Sequence, residues 1–178
     1  MPDVIARRLK VLFCGINPGL YSGAVGHHFA RPGNRFWKVL AASTLTPRVL
    51  SPFEERELIR LGLGITNLVE RTTASADELS VEELVAGARR LRTKVLRFEP
   101  AIVAFLGLGS YRVGFARPHA TVGLQPESIG RSRVWLLPNP SGLNSHYQLP
   151  ELTQQFQALA GAAGLKPAPG RGSHRATA

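Results

Sequence analysis

The stretch VLFCGINPGL, residues 11–20, decides the fold because an apolar run stops abruptly at Gly-Ile-Asn-Pro-Gly. An apolar run without polar alternation is typical of a central strand in a parallel sheet that helices cover on both faces. Pro18 and Gly19 end this strand, and open parallel sheets bind ligands outside the carboxyl ends of their strands. Asn17 is therefore a candidate site residue from its position alone.

A second stretch, VWLLPNPSG at residues 134–142, repeats this design. It joins an apolar run to Asn139 and Pro140, and Ser141 and Gly142 follow. The carboxyl ends of parallel strands lie at one edge of a sheet. We therefore expect the two Asn-Pro segments to converge on one crevice.

Elsewhere the chain alternates between strand and helix patterns. The first strand, 9–14, leads into a long glycine-rich loop. Further strands are predicted at residues 65–69 and 101–106, and helices are predicted to begin near residues 34, 52, 80, 110 and 152. Repeated strand–helix units predict an α/β protein, a single three-layer α/β/α domain over residues 1–165 with a short, mainly parallel central sheet. Residues 166–178 lack core-forming side chains, and we expect a disordered basic tail there.

The composition fits one domain with a basic surface. The chain has 178 residues, 44% of them hydrophobic, and a net charge of +10. This charge favours a polyanionic partner, although an arginine-rich proteome would produce the same total. Nine of the twelve acidic residues lie between residues 54 and 99. Both Asn-Pro segments lie in acid-poor parts of the sequence, so a phosphate backbone could approach them without meeting carboxylates.

Cysteine usage and hydropathy further restrict the class of protein that the sequence can encode. Cys14 is the only cysteine, which excludes an internal disulfide and any C-x-x-C metal or cluster site and fits a reducing cytoplasm. No run of eighteen uncharged apolar residues occurs. We expect a soluble cytoplasmic protein of bacterial type, used at the nucleoid, with no cofactor, no metal and no membrane partner.

Other chemistries have weaker support in the sequence. The Gly107-Leu108-Gly109 turn has its next glycine at position 114, too far along for a dinucleotide loop, and neither a P-loop nor a G-x-S-x-G motif occurs. His27 and His28 are adjacent on an extended loop, where their side chains point apart, and no third metal ligand is near in sequence. Tyr21 and Phe29, just past a strand end, are placed to stack on a flat ligand.

Three motifs carry a resemblance to a known family. GINPGL at 15–20, GHHFARPGNRFWKVL at 26–40 and NPSGLN at 139–144 resemble, in order and spacing, the mismatch-specific uracil/thymine DNA glycosylase family of the uracil-DNA glycosylase superfamily. The similarity covers about residues 8–162. It implies a monofunctional DNA glycosylase of base excision repair that flips uracil out of mismatches with guanine and hydrolyses the N-glycosidic bond. Thymine and modified pyrimidines are further candidate substrates.

The resemblance also assigns a base pocket. Asn17 matches the residue that positions the attacking water, and Phe29 matches the aromatic residue that stacks on uracil. The substrate-binding residues that it implies are Gly15, Ile16, Pro18, Gly19, Leu20, Ser22, His28, Phe29 and Asn139. An amide cannot take a proton at neutral pH, so Asn17 would orient the water without acting as a general base. Neither Asn-Pro motif contains a lysine able to form a Schiff base, so no lyase step is expected.

The resemblance implies that the loop after the apolar run at residues 134–137 enters the DNA. Family members insert a wedge there, and the matching residues are Gly142, Leu143 and Asn144, with Pro140 and Ser141 beside them at the orphaned guanine. Leu143 is an apolar plug suited to replace a lost stacking partner. Without the resemblance, the same residues would be interpreted as a loop with one exposed leucine.

The substrate preference and the function class stay open at this point. Ser22 resembles the bacterial branch, in which a small polar residue crowds a thymine methyl group, whereas residues 26–28 resemble the thymine-processing branch. At Asn67 some relatives carry lysine. We expect a monomer that binds double-stranded DNA with G·U or related mismatches. The alternatives are a mismatched-DNA-binding protein with weak or no catalysis and a small-molecule α/β enzyme.

Overall fold

The computed structural model of this protein describes residues 1–165, and the predicted tail at 166–178 lies outside the described residues. The strands are β1 Val11–Gly15, β2 Leu63–Asn67, β3 Ile102–Leu106, β4 Gly123–Ile129 and β5 Ser132–Leu137. The helices are α1 Leu20–Val25, α2 Phe36–Ala42, α3 Glu57–Arg60, α4 Val81–Phe98, α5 Leu108–Gly114 and α6 Leu149–Ala162, with short 3-10 turns at Pro52–Glu54 and Ala76–Glu78.

The five strands form one sheet in the order β2-β1-β3-β5-β4. The first four strands of that order are parallel, and β4 pairs antiparallel with β5. All five residues of β1 and all five of β3 are buried, because helices cover both faces. The mainly parallel sheet predicted from the apolar runs is therefore confirmed.

Helices on each face of the sheet complete a three-layer α/β/α domain. On one face Phe13 packs with Phe36 of α2 and Phe156 of α6. On the other face Leu12 packs with Leu91 of α4, in the same cluster as Tyr111 of α5. The alternation of β1 side chains between the two clusters is the period-two geometry of a strand buried on both faces.

The long helix α4 begins where its sequence predicts. The Ser80 hydroxyl accepts a hydrogen bond from the Glu83 backbone nitrogen at 3.2 Å, and the Glu83 carboxylate accepts one from the Ser80 nitrogen at 2.9 Å. These two bonds form the predicted capping box. None of the helices described within residues 1–165 is long and apolar enough to span a bilayer.

Three local predictions differ from the structure. Strand β4 was not predicted because Pro126 and Glu127 interrupt its apolar pattern, and an edge strand with an irregular register tolerates both. The loop after β1 contains the short helix α1. The helix predicted from Pro52 is divided into a 3-10 turn and the four-residue α3.

Candidate functional site

The sheet brings the two Asn-Pro segments to the same edge. Asn17 follows β1 and Asn139 follows β5, and both strands border β3 in parallel. Asn67 ends β2, the other neighbour of β1, and therefore lies at this edge as well. The structure therefore places both strand ends at one edge of the sheet, as predicted, and β2 adds a third asparagine.

The Asn17 side chain has a fixed orientation. Its Nδ2 donates hydrogen bonds to the Arg71 carbonyl oxygen at 2.8 Å and to Thr73 Oγ1 at 2.7 Å. A carbonyl only accepts, so the nitrogen of the amide must face Arg71. Among residues 1–165, no protein donor contacts Asn17 Oδ1. The half-buried amide thus presents its oxygen as a free acceptor for a water molecule.

The loop that holds Asn17 is itself anchored to α4. The Arg71 guanidinium donates to both Glu83 carboxylate oxygens, at 2.6 and 2.9 Å, and to the Glu78 carbonyl at 2.9 Å. The hydrogen bond from Arg71 lowers the pKa of Glu83 to about 2. Thr73 donates its hydroxyl proton to the Ser75 carbonyl at 2.7 Å. The capping box of α4 and the Asn17 amide therefore belong to one connected network.

Phe29 and Asn67 approach the backbone at the end of β1, where Gly15 is the last residue of the strand. A β-carbon at Gly15 would lie 2.6 Å from Asn67 Oδ1 and 3.2 Å from Phe29 Cζ, so only glycine leaves room for both side chains. The Phe29 ring is half-buried and stacks on Phe36, with ring centroids 4.1 Å apart and planes inclined by 29°. An aromatic ring and an amide thus meet over a glycine, which is an arrangement for recognising a planar polar ligand.

Two side chains predicted to bind substrate are engaged within the protein. Ser22 is 5% exposed, and its hydroxyl accepts a hydrogen bond from the Ala30 nitrogen at 3.0 Å. His28 is 1% exposed, and its Nε2 donates to the Pro2 carbonyl at 3.0 Å. Burial lowers the pKa of His28, so the ring is neutral at pH 7 with the proton on Nε2. Their roles toward a substrate remain predictions.

The other predicted pocket residues lie along the first loop. Pro18 is buried, and its carbonyl accepts from the Thr73 nitrogen at 3.1 Å. The carbonyl of Ile16 accepts from the Val69 nitrogen at 2.9 Å. Gly19 precedes α1 and is exposed, and Leu20, the first residue of that helix, is 60% exposed. The strand pairing of β1 and β2 therefore continues into the loop, which leaves Gly19 and Leu20 at the surface.

The second loop, residues 139–144, is held by internal hydrogen bonds. Asn139 Oδ1 accepts from the Ser141 nitrogen at 3.0 Å, and the Asn139 carbonyl accepts from Asn144 Nδ2 at 2.9 Å. Leu143 is the most exposed of the large hydrophobic residues, at 74%. Its backbone nitrogen donates to Ser141 Oγ at 3.3 Å. The loop therefore has a defined shape and presents an unpacked leucine at its tip.

Arg35 fastens this loop to the domain. Its guanidinium donates to the carbonyls of Ser141 at 2.6 Å and Asn144 at 3.0 Å, and also to those of Pro140 and Tyr147. The Arg35 backbone nitrogen donates to the Pro140 carbonyl at 3.1 Å. A planar fork with five donors can satisfy several carbonyls at once. Arg35 lies within the GNRFW segment quoted above, but its partners could not be identified from the sequence.

Gly142 allows a second close contact with the first half of the chain. A β-carbon at Gly142 would lie 2.6 Å from the Gly33 carbonyl oxygen. The exposed cation Arg31 precedes this contact by two residues. The loop with Leu143 at its tip therefore contacts the segment that carries Arg31.

The charge distribution at the edge differs from the sequence-based expectation. A cavity of about 350 Å³ is lined by Met1, Pro2, Asp3, Pro18, Asn67 and Glu70. The pairing of β1 with β2 brings Glu70 beside Pro18, although the two are far apart in sequence. Acidic groups thus lie on the β2 side of the site. No group of three or more His, Cys, Asp or Glu side chains within residues 1–165 could hold a metal ion.

Comparisons with known proteins agree with this architecture. The chain is similar to a candidate uracil DNA glycosylase from Methanosarcina acetivorans, whose solution NMR structure superposes with a TM-score of 0.60 at 16% sequence identity. The match covers 89% of this chain and 96% of that one, which supports a shared fold. The model of the uracil DNA glycosylase superfamily matches residues 2–160, a span that includes the whole sheet and both Asn-Pro segments. The chain therefore belongs to the uracil DNA glycosylase superfamily, a membership that supports hydrolysis of N-glycosyl bonds in DNA.

Proposed function

We propose that this protein is a monofunctional DNA glycosylase that flips uracil out of mismatches with guanine and hydrolyses its N-glycosidic bond. The observation that carries this proposal is the Asn17 amide, whose nitrogen is held by Arg71 and Thr73 while its oxygen has no protein donor within residues 1–165. The exposed Leu143, on a loop that Arg35 fastens, supports entry into a duplex.

Base flipping requires the duplex to open at the target. A base inside the stack cannot reach a pocket at the sheet edge, and opening costs a few kcal/mol, least for a mismatched base. Leu143 would fill the vacated space, as apolar wedges do between base steps. A G·U pair therefore fits the wedge as a substrate better than a well-paired base does.

The Asn67 side chain is suited to form hydrogen bonds with the N3 edge of uracil. Its amide offers one acceptor and two donors, and uracil presents a donor at N3 between two carbonyl acceptors. Asn67 Oδ1 closely approaches Gly15, as the Phe29 ring does, and no hydrogen bond within residues 1–165 occupies the Asn67 side chain. The amide can therefore accept from N3–H and donate to a neighbouring carbonyl while Phe29 covers the ring.

The chemistry would depend on departure of the base. Asn17 cannot remove a proton from water, so the sugar must develop oxocarbenium character before the water attacks. The Asn17 oxygen then holds the water near the sugar, a contribution of position rather than of basicity. The backbone N–H groups of Ile16, Asn17, Gly19 and Leu20 would stabilise the negative charge on the departing uracil, whereas Pro18 has no N–H to donate.

A base panel tests this function directly. The protein is incubated with duplexes that carry uracil, thymine, hypoxanthine or ethenocytosine opposite guanine, and strand breaks are measured with and without alkali. We expect release of uracil from G·U, with breaks only after alkali, because neither Asn-Pro motif supplies a Schiff-base lysine. Breaks without alkali would contradict a monofunctional enzyme.

The same panel separates the alternatives. Salt-dependent binding of the G·U duplex without release of any base would identify a mismatch-binding protein instead. A small-molecule enzyme would show no DNA affinity of the kind that falls with salt through counterion release.

A substitution at Arg35 tests the role of the second loop, residues 139–144, without removing a charge. Arg35→Lys is expected to slow uracil release from a G·U duplex about tenfold, because one ammonium cannot bridge carbonyls as a guanidinium fork does. Single-turnover rates measure the effect. Arg31→Lys is the matched control, since Arg31 is exposed and donates no side-chain hydrogen bond within residues 1–165. Wild-type rates for Arg35→Lys would show that the loop needs no such fastening.

A further inference from the structure

The loop that presents Phe29 is attached to a buried carboxylate distant in sequence. Glu55 is 6% exposed, and its Oε2 accepts a hydrogen bond from the His28 backbone nitrogen at 2.9 Å. Its Oε1 lies 3.1 Å from His27 Nδ1. A buried carboxylate is costly unless it is hydrogen-bonded, and bonds from backbone N–H groups to a charged acceptor are among the stronger ones. Both carboxylate oxygens of Glu55 therefore contact this loop.

The backbone on both sides of Phe29 is held by side chains from other segments. Glu55 binds the His28 nitrogen, and Trp37 Nε1 of α2 donates to the His28 carbonyl at 3.3 Å. On the other side, Ser22 of α1 binds the Ala30 nitrogen at 3.0 Å. Three separate parts of the fold thus determine the position of one residue.

Phe29 needs this support because its backbone is strained. Its φ of 53° lies in the left-handed region, which bulky residues rarely adopt. Such a conformation persists only where the surroundings over-determine it, and it is often found at functional sites. The strain places the ring on Phe36 and beside Gly15, the position that the proposed function assigns to the base platform.

We propose that Glu55 is a positioning residue that holds the Phe29 ring in place to stack on the flipped base. This inference rests on the proposed function for its catalytic consequence. Glu55 acts through the His28 backbone and does not touch the reacting atoms. Its partner His27 packs edge-on against Phe53, at 4.6 Å between ring centroids, which places the Pro52–Glu54 turn in the same support.

The catalytic test compares variants at Glu55 and Phe29. Glu55→Ala is expected to slow single-turnover uracil release from G·U about 10- to 100-fold, because a buried N–H loses its acceptor. Glu55→Gln should restore most of the rate, since its amide oxygen can still accept from His28. Glu57→Ala is the matched control, because Glu57 is exposed and pairs only with Arg60 among the described residues.

Two readouts separate positioning from general support of the fold. In a Phe29→Ala background, Glu55→Ala should add little further loss, because the ring that it positions is gone. Affinity for a duplex with an abasic site opposite guanine should stay near wild type, since no base remains to stack. Multiplicative losses in the double variant, or a parallel loss of abasic-site affinity, would overturn the proposal.

Hydrogen exchange tests the loop independently of catalysis. The backbone amides of residues 27–30 should exchange faster in Glu55→Ala than in wild type and remain slow in Glu57→Ala. If Glu55→Ala does not fold, Glu55→Asp keeps the charge but withdraws the oxygens by one methylene, and the same acceleration is expected. Unchanged exchange would refute the role of Glu55. Absence of uracil release from the wild type would instead refute the proposed function, and exchange would still decide the role of Glu55.

Discussion

Replacing Asn17 with alanine is expected to slow uracil release from a G·U duplex by about 100- to 1000-fold, the range for loss of one preorganised polar group. The change removes the only group proposed to orient the attacking water. It leaves the exposed cations and the loop with Leu143 unchanged, so affinity for a duplex with an abasic site opposite guanine should remain near that of the wild type. Single-turnover rates and abasic-site binding measure the two effects.

The control for Asn17→Ala must account for the partners that it leaves behind. The Arg71 carbonyl and Thr73 Oγ1 both lose a donor, and a resulting change in stability would appear in the melting temperature. Gln157→Ala removes an exposed amide from the middle of α6 and should leave both rate and binding unchanged. If Asn17→Ala released uracil at nearly the wild-type rate, the assignment of the water to Asn17 would be wrong.

The sheet and the position of Asn17 were predictable because they depend on local sequence. Four apolar residues before Asn-Pro describe a buried strand and its end within one short segment. The two strand ends meet because parallel strands share an edge, which is a general rule of the fold class. Strand β4 was missed for a physical reason, since an edge strand has fewer apolar requirements and tolerates Pro126.

The partners of the site residues could not be predicted, because they are distant in sequence. Arg71 and Thr73 reach Asn17 from 54 and 56 residues away, through the pairing of β1 with β2. Glu55 reaches His28 from a turn between two short helical segments, and nothing in SPFEER distinguishes it from its half-buried neighbour Glu54. The expectation of acid-poor surroundings for the site failed for the same reason, because Glu70 comes to the site edge only when β2 pairs with β1.

Truncating Leu143 to alanine is expected to slow uracil release from a G·U duplex by about 10- to 100-fold. Leu143 is 74% exposed in the free protein, so its side chain contributes little to the core. Its proposed role is to occupy the space left by the flipped base and so to offset an unstacking cost of a few kcal/mol. Single-stranded DNA has no stacked gap to fill, so any release of uracil from it should be nearly unaffected by the same change.

Leu96→Ala provides a matched control, because Leu96 is also an exposed leucine, at 54%. It lies in the last turn of α4, just before β3 begins, and therefore at the sheet edge opposite the site. The substitution should leave both substrates unaffected, whereas equal losses on duplex and single strand for Leu143→Ala would show that Leu143 supports the fold. No loss on either substrate would show that Leu143 does not act as a wedge.

The base pair adds an independent test, since uracil paired with adenine needs more help to stay out of the stack than uracil opposite guanine. The defect of Leu143→Ala should therefore be larger for A·U than for G·U, and contacts between the loop backbone and the orphaned guanine would widen that difference.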